Sequence, residues 1–133
     1  MAEKRFLSPD TLAAPFGYSH VVDSPVGRIV YISGQVPLDG DGQLVGEGDF
    51  EAQARQVFAN LGRALAAAGA RPEQVAKITI YVVPHRPEYL PIIEQGRVAL
   101  FGDHKPADTL VGVETLSQPD YLIEVDAVAV IDS

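Results

Sequence analysis

The sequence contains no cysteine, and this absence excludes several kinds of site. There can be no disulfide framework, no thiolate nucleophile and no metal site with thiolate ligands. The three histidines, His20, His85 and His104, are spread over different segments without the short spacing of paired metal ligands. We therefore predict a protein with no metal site and no cofactor, which packing alone stabilises.

Basic residues are also scarce. The chain has 10 lysines and arginines against 18 aspartates and glutamates, which gives a formal charge of −8. A field of this sign repels phosphate backbones and anionic lipid surfaces, so we expect neither a nucleic-acid partner nor a membrane partner. The acidic excess is concentrated after residue 102, where seven acidic residues stand against one basic residue.

Long apolar runs and common catalytic motifs are missing as well. No stretch reaches the ~18 consecutive apolar residues of a membrane span, and residues 1–5 lead into no signal-peptide core. The glycines of segment 40–48 fit neither a P-loop nor G-x-G-x-x-G, and Ser33 has no G-x-S-x-G around it. We predict a cytoplasmic protein that does not bind nucleotides.

The length and the periodic segments predict one α+β domain. The 133 residues suit a single domain over 1–133. Asp49 can cap the first helix and Gly69 can end it, whereas residues 1–20 are irregular. Strand patterns cover 28–33, 75–83, 108–113 and 121–131, a turn covers 37–42, and helical patterns cover 49–68 and 86–101.

The last predicted strand indicates which face of the sheet is covered. Its odd positions are all apolar and would face the two helices. Its even positions are mixed, because Glu124 and Asp126 are acidic whereas Val128 and Val130 are apolar. Two helices cover only one face, so we expect the other face to pack on a second copy of the chain. The alternative is a small closed barrel that buries both faces within one chain.

Glu124 and Asp126 are the carboxylates best placed for chemistry. They share one strand face, with their Cα atoms about 7 Å apart. Burying two acids is costly unless they are hydrogen-bonded, protonated or exposed to a solvent-filled cleft. A cleft at a subunit interface would meet this condition, and an ordinary solvated strand end would accommodate both acids as well.

Several segments together resemble the RidA family, also called the YjgF or reactive intermediate deaminase family. The patterns Y-x-S-G-Q-x-P and E-x-[ED]-A-x-A are specific in combination, and the resemblance covers about residues 15–130 in the correct order. It is carried by FGYSH at 16–20, VYISGQVPL at 30–38, the helix at 53–69, VAKITIYV at 75–82, Pro106-Ala107 and LIEVDAVA at 122–129.

The resemblance implies a chorismate-mutase-like α+β fold with two helices on one face of a mixed sheet. It also implies a homotrimer with small-molecule clefts between subunits. Family members with the full pattern hydrolyse reactive enamines or imines released by pyridoxal-phosphate enzymes, which gives a 2-oxo acid and ammonia. An arginine after Pro-Ala binds the substrate carboxylate, and a glutamate of the closing strand positions or activates water.

Carried over residue by residue, the resemblance makes Glu124 a catalytic residue. It assigns Tyr18, Ser33 and Gly34 to substrate binding. The arginine is absent, because its position holds Asp108, which we take as the second catalytic candidate.

Three further cleft positions follow from the same alignment. Leu110 stands where the family often has a cysteine, and Glu94 stands where it has a helix asparagine. Thr109 lies between Asp108 and Leu110. We include all three among the predicted substrate-binding residues.

The exchange at position 108 changes the predicted substrate. Replacing an attractive unit charge by a repulsive one about 4 Å from the substrate carboxylate reverses the sign of an electrostatic energy of roughly several kcal/mol. A 2-imino acid should therefore bind poorly. Arg97 or Lys105 could supply a substitute cation. If Asp108 and Glu124 line one cleft, their repulsion should raise one pKa and leave an acid beside a base. Such a pair suits hydrolysis or tautomerisation of a neutral or cationic imine, enamine or carbonyl compound.

Two other functions stay open. A non-catalytic metabolite-binding or regulatory trimer would keep the cleft and lose the reaction. The ribonuclease activity attached to some family names is disfavoured by the charge of −8 and by the lack of a basic patch.

Overall fold

The fold is an open mixed sheet with two helices on one face. A computed structural model of the chain describes residues 4–11, 14, 18–24 and 27–132, so residues 16–17 of the family motif lie outside the described residues. The strands are β1 (Arg5–Leu7), β2 (Val21–Asp23), β3 (Arg28–Gln35), β4 (Val75–Val82), β5 (Ala107–Gly112) and β6 (Ile123–Ile131). The α-helices are α1 (Phe50–Ala67) and α2 (Leu90–Phe101), with 3-10 turns at Pro72–Gln74 and Pro87–Tyr89.

The first predicted helix is confirmed, including both of its ends. The Asp49 carboxylate accepts a hydrogen bond from the backbone N–H of Ala52 at 3.1 Å, which satisfies one of the unpaired donors of the first turn. Gly69 follows the helix with a φ of 75°, a left-handed conformation that favours glycine. Apolar residues recur every three or four positions along α1 and form a buried stripe, which packs in one core with residues of β4 and β6.

The main sheet has the order β3-β6-β4-β5, with β4 and β5 parallel and the other pairs antiparallel. The helices and the buried residues of β4 and β6 form one apolar core. In β6 the residues at 123, 125, 127 and 129 are buried, as the alternation predicted. The predicted α+β architecture, two helices on one face of a mixed sheet, is confirmed.

The face of the sheet turned away from the helices is not covered within one chain. Tyr31 is 77% exposed and Ile29 is 54% exposed, and they pair across the strands with Val128 and Val130. Strands β3 and β5 are the two edges of the four-stranded sheet. The closed barrel considered from the sequence is therefore not what the described residues form.

Two buried residues, Gly96 and Gln53, determine how closely the helices pack and where the last strand begins. Gly96 allows α2 to approach α1, because a Cβ there would lie 2.3 Å from the Phe58 ring. Gln53 is fully buried, and its amide nitrogen donates to the carbonyls of Gly46 and Asp120. Its amide oxygen accepts from the N–H of Leu122 at 2.8 Å, which fixes the start of β6.

Other boundaries differ from the sequence-based prediction. The second helix was expected from residue 86, but Pro87–Tyr89 forms a 3-10 turn and the α-helix begins at Leu90. Phe6 and Leu7, which the sequence offers as anchors for an edge strand or arm, lie in β1. The pairing of β1 with β2 was not predicted, because three-residue strands are too short for a periodic pattern. No helix in the described part of the chain has the length and apolar character needed to cross a membrane.

Candidate functional site

Tyr18 is held beside the start of β5 by the residue that follows it. The N–H of Ser19 donates to the carbonyl of Pro106 at 3.1 Å, and its hydroxyl donates to the carbonyl of Lys105 at 2.5 Å. Ser19 also forms a parallel bridge with Ala107. Residue 18 is thereby tied to the strand that carries Asp108, although 90 positions separate the two in sequence.

A cleft of about 920 Å³ lies between α2 and β5, with Tyr18 at its side. Most of its lining is apolar, and Leu90 and Val98 are large exposed side chains. The apolar lining residues are Leu90, Pro91, Val98, Ala99 and Leu110, and the charged ones are Glu94, Arg97 and Asp108. The cleft therefore combines apolar walls with a small group of charges.

Those charges form a compact ion-pair group. The Nε of Arg97 donates to Oδ2 of Asp108 at 2.6 Å, and Nη1 of Arg97 lies 3.5 Å from Oε1 of Glu94. The Asp108 side chain is only 3% exposed, that of Arg97 11% and that of Glu94 23%. Of the two substitute cations considered from the sequence, Arg97 is the one beside position 108, whereas Lys105 is exposed. One guanidinium between two carboxylates leaves this group with a formal charge of −1.

The environment of Asp108 acts on its carboxyl in two directions. Burial raises the pKa of Asp108 above its ordinary value, and the Arg97 guanidinium opposes that rise. Lys77 also acts to lower the pKa, while Glu94 acts to raise it. The second oxygen, Oδ1, is buried and has no hydrogen-bond partner among the described residues.

A second cluster lies on the opposite face of the sheet and centres on Glu124. A Cβ placed on Gly34 would lie 1.8 Å from Oε2 of Glu124, so the carboxylate occupies space that only glycine leaves open. Tyr81 pairs with Glu124 across the strands, and its hydroxyl donates to Oδ2 of Asp126 at 3.2 Å. Ser33 is the exposed neighbour of Gly34.

Burial raises the pKa of Glu124, and the negative charge of Asp126 raises it further. The pKa of Tyr81 is raised by burial first and then by Asp126. We expected mutual repulsion between Asp108 and Glu124 to raise one pKa. That expectation applied to a cleft lined by both residues. Within one chain they do not share a cleft, and the pKa of each carboxyl is raised by its own surroundings.

The predicted site residues thus fall into two groups. The helix-side cluster comprises Tyr18, Glu94, Arg97, Asp108 and Leu110. The outer-face cluster comprises Ser33, Gly34, Tyr81, Glu124 and Asp126.

The two clusters are on opposite faces because Asp108 contacts helix α2, whereas Glu124 occupies an even position of β6. One described chain therefore does not bring Asp108 and Glu124 together.

Thr109 belongs to neither cluster. Its hydroxyl accepts a hydrogen bond from Nζ of Lys77, and it is not among the lining residues of the cleft. Its neighbour Asp108 faces α2, so alternation along β5 turns Thr109 to the other face. Within one chain Thr109 therefore lies on the face of the outer-face cluster and not beside α2, and its role in substrate binding stays a prediction.

Sequence reasoning did not place Tyr81 beside Glu124 and Asp126. It named Arg97 as a substitute cation for the substrate, but not as the partner of Asp108. A signal for Arg97 existed, because it lies between Ile93 and Phe101 at helical spacing, in a stripe that is otherwise apolar. A charge in such a stripe needs a counter-charge on the element that the helix packs against.

Among the described residues there is no group of three or more metal-ligating side chains.

Several known proteins are similar to this chain in sequence. The profile of the family described as Endoribonuclease L-PSP matches residues 9–131. A RutC family protein of Pyrococcus horikoshii is 32% identical over 127 residues, which covers 95% of this chain and 97% of that protein. A protein of Acinetobacter baylyi named 3-aminoacrylate deaminase RutC is 32% identical over 95% of this chain and 97% of its own.

A solved structure is similar over nearly the whole fold. It is a protein of unknown function of the conserved Rid family, from Yersinia pestis, and it is 39% identical with a TM-score of 0.92. The match covers 98% of this chain and 100% of that chain. The chain described here therefore belongs to the RidA (YjgF) family, whose profile is described as Endoribonuclease L-PSP.

Proposed function

We propose that this protein is a homotrimer whose intersubunit clefts bind a small imine, enamine or carbonyl compound without a carboxylate, and hydrolyse or tautomerise it. The observation that carries this proposal is the ion pair of Arg97 and Asp108. The family's carboxylate-binding arginine is replaced by an acid, and the guanidinium that lies nearby is already bound to that acid. With Glu94 the group carries a formal charge of −1, which disfavours an anionic substrate.

The separation of the two clusters supports the oligomer. A substrate that contacts both Asp108 and Glu124 needs them on one side, and a second copy could supply the outer-face cluster to the helix-side cluster of the first. The exposed Ile29 and Tyr31 on the outer face give such a copy apolar surface to cover. In this assembly the cleft is completed by residues of two chains.

Glu124 is the proposed proton carrier. Burial and Asp126 raise the pKa of Glu124, which brings its titration closer to neutral pH and suits general acid–base work. In imine hydrolysis, the oxygen of water bonds to the imine carbon and the C–N bond breaks. Both protons of water end on nitrogen, so ammonia leaves and the carbonyl compound stays. Tyr18, Ser33 and Gly34 would hold the substrate beside Glu124.

The name of one relative agrees with this class of reaction. The Acinetobacter baylyi protein is named for deamination of 3-aminoacrylate, an enamine. Related sequence and a shared fold make C=N or enamine chemistry the leading class for this chain. The ion-pair group is the reason to propose a different substrate within that class.

The test compares turnover of two imines that differ in the carboxylate. One is formed in situ by oxidation of a primary amine, and the other is 2-iminopropanoate; ammonia release is followed against the uncatalysed rate. We expect acceleration of the carboxylate-free imine, little acceleration of 2-iminopropanoate, and loss of about 10²-fold or more in Glu124→Gln. Glu114→Gln is the matched control, because Glu114 is exposed and outside both clusters.

Two results would contradict the proposal. Faster turnover of 2-iminopropanoate would show that the cleft accepts carboxylates. Equal rates for the wild type and Glu124→Gln would favour the non-catalytic binding or regulatory trimer. Size-exclusion chromatography with light scattering tests the assembly separately, and a monomer at micromolar concentration would exclude an intersubunit cleft.

A further inference from the structure

Arg97 is a nearly buried guanidinium in a cleft that is otherwise mostly apolar. A guanidinium carries five N–H donors in a planar fork that matches the geometry of a carboxylate. Among the described residues, its short contact is the 2.6 Å bond to Asp108 and its longer one is the 3.5 Å contact to Glu94. The protein therefore supplies from its own chain the anion that such a fork binds.

This internal anion occupies the position that an external one would need. Asp108 bonds through Oδ2 to the Nε edge of the guanidinium, and its side chain is almost fully buried against α2. A carboxylate entering the cleft would have to displace Asp108 or approach two acids that already share one cation. Exclusion of carboxylates then depends on the charge of Asp108, and the capacity to bind them resides in Arg97.

We propose that Asp108 is a specificity-determining residue that acts through Arg97: its carboxylate occupies the guanidinium as an internal ligand and thereby excludes carboxylate ligands from the cleft. The inference rests on the proposed function in one respect, namely that this cleft is where the small molecule binds. Removing the charge of Asp108 should leave Arg97 with a neutral partner that an external carboxylate can displace, which creates a carboxylate site without adding any cation.

The exclusion of carboxylates also indicates which class of reaction supplies the substrate. A substrate without a carboxylate is supplied by oxidation of a primary amine, or by a reaction that removes the carboxylate before the imine forms. Oxidation of an α-amino acid leaves the carboxylate in place and supplies the excluded class. Hydrolysis of the accepted imine yields an aldehyde or ketone together with ammonia.

The main experiment measures binding of pyruvate, and of its neutral analogue pyruvamide, by isothermal titration calorimetry near pH 7.5. We expect Asp108→Asn to bind pyruvate about tenfold more tightly than the wild type or better, with pyruvamide unchanged. Asp108→Glu keeps the charge and should exclude pyruvate as the wild type does. The double variant Asp108→Asn, Arg97→Gln should lose the gain.

Controls separate this mechanism from a general charge effect or a loosened fold. Asp103→Asn removes the same charge from an exposed residue and should leave pyruvate binding at the wild-type level. Circular dichroism and size-exclusion chromatography verify that each variant is folded. A folded Asp108→Asn without a gain would overturn the proposal, as would a gain that persists in the double variant.

A measurement on the unmodified protein covers the case in which Asp108→Asn does not fold. The charged groups that act on Asp108 are Glu94 and Arg97 of α2 and Lys77 of β4. Lowering the pH from about 8 towards about 4, the ordinary range of an aspartate, crosses the raised pKa of Asp108. Pyruvate affinity should then increase in the wild type, and also in Glu94→Gln, as Asp108 takes up a proton. A flat or opposite dependence would overturn the proposal.

These outcomes are distinct from those of the turnover test. Pyruvate binding does not require catalysis by Glu124, so the binding proposal can fail while carboxylate-free imines are still hydrolysed. Conversely, a gain in Asp108→Asn together with equal turnover by the wild type and Glu124→Gln would retain the specificity mechanism and remove the catalytic proposal.

Discussion

Removing either partner of the Arg97–Asp108 pair should destabilise the fold, but by unequal amounts. Arg97→Met keeps the aliphatic stem and leaves Asp108 as a buried carboxylate whose Oδ1 already has no partner and whose Oδ2 loses its donor. Loss of one member of a buried pair costs about 3–5 kcal/mol. Asp108→Asn keeps the shape and an acceptor for Arg97, which retains Glu94 at 3.5 Å, so we expect a cost of about 1–2 kcal/mol.

The pH dependence of these two losses should have opposite signs. Burial holds the folded-state pKa of Asp108 above its unfolded value, so the folded state binds more protons and the unfolding free energy falls as pH rises between the two values. Arg97→Met removes a group that lowers this pKa, so its deficit relative to the wild type should grow with rising pH. Asp108→Asn lacks the titrating group, so its deficit should shrink with rising pH.

Urea denaturation at fixed protomer concentration, at a series of pH values from about 4, the ordinary pKa of an aspartate, up to about 8, measures both effects. Arg55→Met is the matched control, since Arg55 pairs with Glu51 at 3.7 Å on the exposed face of α1. An exposed pair of this kind contributes about 0–1 kcal/mol. Equal and pH-independent losses in Arg97→Met and Asp108→Asn would refute the reasoning that burial of Asp108 decides the energetics of the pair.

The packing of the helices gives further predictions. Gly96→Ala should cost about 1–3 kcal/mol because its Cβ would overlap the buried Phe58 ring. Gly62→Ala meets only the flexible end of Leu100 and should stabilise the fold by up to ~1 kcal/mol. Thermal unfolding that ranked the two variants in the reverse order would contradict this reasoning. Gln53→Leu should cost about 3–5 kcal/mol because a fully buried amide and three partly buried backbone bonds are lost. The exposed Gln95→Leu should change stability by less than ~0.5 kcal/mol. Denaturant titration of both variants is the check, and a small loss at Gln53 would mean that water replaces its side chain.

The sequence predicted the elements whose patterns are long and regular. The stripe of α1, the cap at Asp49 and the alternation along β6 each come from local residue spacing, and the structure confirms them. The start of α2 was missed because Pro87 and Pro91 both fit a first helical turn, and the spacing does not choose between a 3-10 and an α-helical turn.

The site was predicted less completely, for a different physical reason. Alternation along the last strand placed Glu124 on the face away from the helices, but the face of Asp108 on the short strand β5 depends on which strands pair and in what register. The Arg97 contact depends on how α2 packs against β5, which is a tertiary property. The contact of Gly34 with Glu124 depends on the irregular register between β3 and β6.

The buried guanidinium between Glu94 and Asp108 also makes the two positions 97 and 108 interdependent in evolution. A direct Asp108→Arg exchange would set a second cation beside Arg97 and leave Glu94 as the nearest counter-charge, which is an unfavourable intermediate. Substitution by way of a neutral residue at position 108, or prior loss of Arg97, avoids this intermediate with two adjacent cations. The effect of a substitution at one position thus depends on the residue already present at the other. Classification of family members by position 108 alone would then misjudge which of them bind carboxylates.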